Sequence, residues 1–175
     1  MARLPYADLN TPSIQPLAKQ IEAERGSILI LYQMLLHSPD VAQGWLSHLT
    51  GIRQKSSIPG DIRELVIMRV AIVNRAPYEA DQHAPIALQE GMTQAQLDAL
   101  PDWQNSSLFD DRQKAVLAYT DAMTRDVQVP DAVFNAAKGH FTHKEMVELT
   151  ATVATYNMVS RFLEALQINT QDEHK

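Results

Sequence analysis

Apolar residues recur along this chain at the three-to-four-residue spacing of helix faces, and almost nowhere with the alternation of a half-buried strand. After an irregular start marked by Pro5 and Pro12, residues 14–24 read as a short amphipathic helix and residues 28–37 as a strongly apolar one. Ser38-Pro39 is a helix start with proline at the first helical position, and the pattern runs on through Trp45 and Leu49 toward Lys55. SSIPGD (56–61) is a break. Residues 62–74 (IRELVIMRVAIVN) are apolar on most faces, the mark of a central, buried helix. Asp61 is placed to cap it, with Glu64 three residues on as in a capping box.

Pro77 restarts the chain, and the helix that follows ends at Gly91, a glycine in the usual stop position. Thr93-x-x-Gln96 and Thr142-x-x-Glu145 are capping boxes that open a short helix and the long final one, which runs to about Leu166. Between them, residues 101–111 read as a loop, 111–124 as an amphipathic helix, and 129–141 as a short helix beginning near Pro130. The polar tail, 169–175, is expected to fray. No hairpin turn or strand pair is evident, so the expected class is all-α. RVAIVN (69–74) echoes TVATYN (152–157), which related helical hairpins or chance would both explain.

With 175 residues the chain fits one domain, residues 1–175, or a tight pair of helical halves. Fifteen basic against 21 acidic residues leave a formal charge of −6, which argues against nucleic acid or an anionic membrane as partner. There is no cysteine, so a disulfide, a thiolate nucleophile, a Cys-ligated zinc and an iron–sulfur cluster are all excluded for this chain acting alone. The first residues lack the apolar core of a secretory signal, and the longest apolar run, 28–36, is about half of the ~20 residues a membrane span needs. A soluble, cytoplasmic protein is expected.

The densest chemistry is in YEADQHAPIALQEG (78–91). Glu79 and His83 are four apart and share a helix face, whereas Asp81 points elsewhere. Arg63, Glu64 and Arg69 sit on the apolar helix before it, where a charge needs a partner, water or a ligand. Spacing alone leaves several readings open. Glu64 can cap its own helix, Glu79 can be a solvated acid, and His83 a satisfied interior histidine. Two carboxylates and an imidazole can also work as general acid and base, or bind a divalent metal, for which no second histidine at the right spacing is offered. His37 ends an apolar helix and His140 and His143 flank an exposed turn, while spacing gives no indication for His48 or His174. Asn157 and Arg161 share a face of the last helix. Arg161 can grip a substrate carboxylate or pair with Glu148 or Glu164.

Residues 58–100 resemble the core motif of the carboxymuconolactone decarboxylase and alkylhydroperoxidase D superfamily. The resemblance covers Arg63-Glu64, the apolar helix, Tyr78-Glu79, His83, Gly91 and the Thr-capped helix, with LLHSPDV (35–41) upstream and Asn157-x-x-x-Arg161-Phe162 downstream. It implies an all-α bundle of packed helical hairpins: N-terminal helices over 13–55, the motif core over 58–100 and C-terminal helices over 111–166. It also implies assembly as a trimer or hexamer, sometimes a dimer, with the site near a subunit interface.

The thiol-peroxidase branch of this superfamily carries a glutamate and then Cys-x-x-Cys-x-x-x-His. Glu64 and His83 match its ends, but Ala76 and Glu79 stand at the cysteine positions and Tyr78 at that of a further relay histidine. Peroxidase activity through thiols is therefore not expected. The decarboxylase branch carries Tyr-Glu-x-x-x-His, which Tyr78, Glu79 and His83 match, although Ala80 replaces a common tryptophan. That branch implies a lyase needing no cofactor and no metal, acting on a small carboxylated lactone or ring acid; the alternative is a member of the superfamily that has lost the thiol centre and serves as a metal- or ligand-binding protein or a structural oligomer. Glu64, Glu79 and His83 would be its catalytic residues. Tyr78, Arg69, Asn157 and Arg161 would bind the substrate.

Overall fold

A computed structural model describes residues 1–174, with side chains through Asp172; Lys175 and the side chains of Glu173 and His174 lie outside the described residues. Among the described residues nine α-helices follow one another: α1 (Gln15–Arg25), α2 (Ile30–Leu35), α3 (Pro39–Gln54), α4 (Gly60–Asn74), α5 (Pro77–Gln89), α6 (Gln94–Ala99), α7 (Asp111–Arg125), α8 (Asp131–Lys138) and α9 (His143–Leu166). Two 3-10 segments, Leu100–Asn105 and Thr170–His174, complete the described chain, in which there is no strand. No helix among the described residues is long and apolar enough to cross a membrane.

The chain forms two compact units, one of residues 1–55 with 163 onward, the other of residues 56–162. In the first, Ile21, Ala42 and Leu46 are fully buried where α1 meets α3. Arg25, in the last turn of α1, donates to the Leu46 carbonyl and the Thr50 hydroxyl. Through Asp172 the polar tail is held rather than frayed; the end of that expected frayed segment, Lys175, lies outside the described residues. Asp172 is buried and accepts from the Ala2 amide at 3.1 Å, the Tyr6 hydroxyl at 3.1 Å and the Asn169 amide at 3.2 Å. A carboxylate that collects three donors has a reason to be fixed despite its polar neighbours.

The second unit is built on α4. Ile62, Leu65, Val66, Ile67, Val70 and Ala71 are all buried, and α5 and α7 pack against this helix. Its near-continuous apolar surface is what a helix enclosed on several sides requires. After Asn74 the chain reverses tightly. Arg75 takes a left-handed conformation (φ 54°, ψ 47°), the Ala76 amide returns to the Ala71 carbonyl, and Pro77 starts α5.

The helix boundaries follow the sequence pattern within a few residues, and both expected capping boxes form: Thr93 with Gln96, and Thr142 with Glu145. A third, Asp110 with Gln113, opens α7. Two local expectations are corrected. α4 begins at Gly60 with no side-chain cap, so Asp61 and Glu64 form no box, and Glu64 turns into the interior instead. Nearly half of the expected loop 101–111 is a 3-10 segment, because Trp103 is buried and its indole Nε1–H finds a carboxylate, Asp121, at 3.2 Å.

Candidate active site

α4 and α5 present the motif residues to one another. Glu64 lies in the second turn of α4 and is completely buried. His83 lies in the middle of α5 and is 7% exposed. His83 Nδ1 stands 2.7 Å from Glu64 Oε2, an imidazole–carboxylate hydrogen bond inside the protein. The other oxygen of Glu64 accepts from Nε of Arg63 at 3.2 Å. From α9 the Tyr156 ring meets the His83 ring edge-on, at 5.2 Å between centroids and 89° between planes. This contact restricts the plane in which the imidazole can sit.

Burial pushes the Glu64 carboxyl toward its neutral form. The His83 hydrogen bond and charge, with Arg63 behind them, outweigh it and hold the Glu64 pKa below the usual 4.5. Glu64 is thus held toward its anionic form, and against a carboxylate Nδ1 of His83 is the nitrogen that donates. A neutral imidazole so held keeps the tautomer with its proton on Nδ1 and has Nε2 as its basic nitrogen. A protonated one is stabilised by the adjacent charge.

The motif residues are placed unevenly. Glu79, for which the sequence leaves a solvated position open, is 2% exposed, and Tyr78 is buried beside it. Asp81 is exposed, as its position on the helix requires. His140 and His143 are exposed. His37, also exposed, reaches the Pro5 carbonyl at 2.7 Å.

Arg69, expected among the substrate-binding residues, is engaged inside the protein. It is 1% exposed, its Nε and Nη2 hold the two oxygens of Asp121 (2.5 and 2.7 Å), and its Nη1 donates to the Leu100 carbonyl at 2.8 Å. A guanidinium so held, with its Nη1 also 3.4 Å from the Pro101 carbonyl, ties α4 to α7.

Asn157 and Arg161 do share a face of α9. Arg161 Nη1 donates to the Asn157 carbonyl (3.2 Å) and side-chain oxygen (2.7 Å). Asn74 donates to the same Asn157 oxygen at 3.0 Å and to Ser160 at 2.6 Å, and the Asn157 amide donates to Thr124 at 2.9 Å. Arg161 itself is exposed. Glu148, one expected partner for it, takes donors from Ser57 and Lys144 instead.

Spacing does not pick out Arg63, Tyr156 or Asn74 as site residues. Arg63 carries a signal in its place beside Glu64, and Asn74 in the echo of RVAIVN (69–74) with TVATYN (152–157). Among the described residues no cluster of three His, Asp or Glu side chains converges in a way that could hold a metal.

Residues 39–122 match the family model described as the Carboxymuconolactone decarboxylase family. The chain is 29% identical over 129 residues to the uncharacterized protein YnjA of Escherichia coli (strain K12), covering 73% of this chain and 68% of that one. It is 25% identical over 115 residues to the uncharacterized protein YdfG of Bacillus subtilis (strain 168), covering 65% and 78%.

Of the solved structures, the alkylhydroperoxidase AhpD core of an uncharacterized peroxidase-related protein from Ralstonia eutropha JMP134 superposes with a TM-score of 0.82 at 18% identity, over 98% of this chain and 93% of that one. A cysteine-to-alanine variant of the debrominase Bmp8, in complex with 2,3,4-tribromopyrrole, does so with a TM-score of 0.79 at 16% identity, over 95% of this chain and 92% of that one. At these identities the structural likeness carries the fold.

Proposed function

This chain belongs to the carboxymuconolactone decarboxylase and alkylhydroperoxidase D-like superfamily, and from that premise we propose that it is a cofactor-independent decarboxylase of a small carboxylated lactone or related ring acid. The observation that carries the reading is the buried 2.7 Å pair of Glu64 and His83. Loss of carbon dioxide breaks a carbon–carbon bond and leaves its electron pair on the ring as a dienolate. The protonated His83 delivers the proton that quenches it, and solvent restores the imidazolium. The Glu64 anion raises the proton affinity of His83 and fixes its orientation, which is how a carboxylate serves a general acid.

Glu79 and Tyr78 remain in the proposal as buried neighbours on α5, and Arg161, steadied by Asn157, as the group that receives the substrate carboxylate. Arg69 is not carried forward. Assembly as a homo-oligomer, a trimer or hexamer with a dimer as the alternative, belongs to the same proposal and is read by light scattering.

Some fold neighbours are peroxidase-related, but thiol-dependent peroxidation lacks its nucleophile in a chain without cysteine. The test is an ultraviolet assay on 4-carboxymuconolactone, run beside His83→Ala. Turnover that falls by about 10²–10⁴ in the variant supports the reading. Absence of turnover in the unsubstituted protein overturns the decarboxylase assignment for this substrate.

A further inference from the structure

Glu64 is shared between an imidazole and a guanidinium, and the guanidinium is itself held by a second acid. Arg63 Nε donates to Glu64 at 3.2 Å, and Arg63 Nη2 donates to Glu90 Oε1 at 2.9 Å. Glu90 is the C-cap of α5, and its side chain is 40% exposed, whereas that of Arg63 is 12% exposed.

With His83 protonated, four charges alternate in sign from the interior outward: His83, Glu64, Arg63, Glu90. Gly60, the first residue of α4, makes room for the last of them, because a Cβ added there would land on the Glu90 carboxyl. That carboxyl is the far end of a flexible side chain, so a methyl group at position 60 would displace Glu90 and leave the helix in place.

We propose that Glu90, seated in the space left by Gly60, acts through Arg63 to set the proton affinity of the Glu64–His83 pair, so that Arg63, Glu90 and Gly60 are positioning residues of the site. The inference rests on the acid–base reading of that pair given above. Arg63 draws on the same carboxylate as His83, so its charge weakens the hold of Glu64 on the imidazolium proton. Glu90 neutralises part of that charge. Removing the cation should raise the proton affinity of His83, and removing the outer anion should lower it. A site that had merely loosened would move the same way in both variants.

The Tyr156 ring of α9 lies against His83, and Tyr78 and Glu79 are buried on the same helix as His83; none of them is altered by these substitutions.

The experiment is an NMR titration of the His83 ring in the unsubstituted protein, Arg63→Met, Arg63→Lys, Glu90→Gln and Gly60→Ala, at low and high salt. Arg63→Met is expected to raise the midpoint by about 1 unit, and Arg63→Lys to leave it near its original value. Glu90→Gln and Gly60→Ala are expected to lower it by a smaller, salt-sensitive amount, because Glu90 is partly exposed. Shifts of one sign in Arg63→Met and Glu90→Gln, or no shift in any variant, overturn the proposal. Glu90→Gln and Gly60→Ala keep it open to refutation if Arg63→Met does not fold. The titration needs no substrate. If the shifts appear and 4-carboxymuconolactone is not turned over, only the decarboxylase reading falls. If His83→Ala abolishes turnover and the shifts are absent, only this inference falls.

Discussion

Glu64 on α4 and His83 on α5 are nineteen residues apart in the chain and 2.7 Å apart in the fold. The pair is buried, and Tyr156 from α9 closes on the imidazole edge-on. Helix spacing pairs His83 with Glu79, one turn before it on α5. The carboxylate that accepts from Nδ1 stands instead on the neighbouring helix.

Replacing Glu64 by Gln keeps the shape and removes the charge. The imidazolium of His83 then loses its anion, so its titration midpoint falls and less of the acid form is present at neutral pH. Turnover of the proposed substrate should drop by about 10²-fold or more at pH 7, and the activity optimum should move to lower pH. A pH–rate profile of Glu64→Gln checks both, and an unchanged optimum would remove Glu64 from the proton balance.

The same carboxylate couples folding to pH. Its pKa is lowered in the folded protein relative to the ordinary 4.5. A carboxyl with a depressed folded value contributes stability that is present above its unfolded pKa and lost as pH falls through the folded one. The melting temperature should therefore decline below about pH 4.5. Glu64→Gln should decline less steeply over that window in a series of thermal melts.

Asp121 holds the buried Arg69 guanidinium with both oxygens and takes the Trp103 indole as well. Asp121→Ala strands a charge in the interior, which costs about 3–5 kcal/mol. Urea denaturation should show a loss of that size, with the proposed site chemistry affected only through folding. A loss below about 1 kcal/mol would place water or another acceptor at Arg69.

Asn157 accepts from Asn74 and Arg161 and donates to Thr124. Asn157→Ala leaves those groups without it and should cost about 1–3 kcal/mol. It should also release Arg161, raising KM for a carboxylated substrate more than it lowers kcat. Equal changes in both would argue that Arg161 does not meet the substrate.

The chain's own pattern determined the class and most of the helix boundaries. Apolar periodicity, the Thr93–Gln96 and Thr142–Glu145 boxes and the prolines at 39 and 77 act within one or two turns, and such local signals survive in any fold that keeps the helices. The same reach placed Asp81 outside and put Asn157 beside Arg161. The echo of RVAIVN in TVATYN ends on Asn74 and Asn157, and the structure joins those two residues at 3.0 Å.

Partners across helices were decided only by tertiary packing. Nothing within a turn of Glu64 says that it will meet His83 rather than cap α4. Nothing near Arg69 says that Asp121, 52 residues on, will hold it. Glu79 reads as a surface acid until α5 is laid against its neighbours and buries it. A helix encodes its own faces through bonds and contacts four residues apart, whereas which charged side chains become partners depends on which faces are brought together away from water.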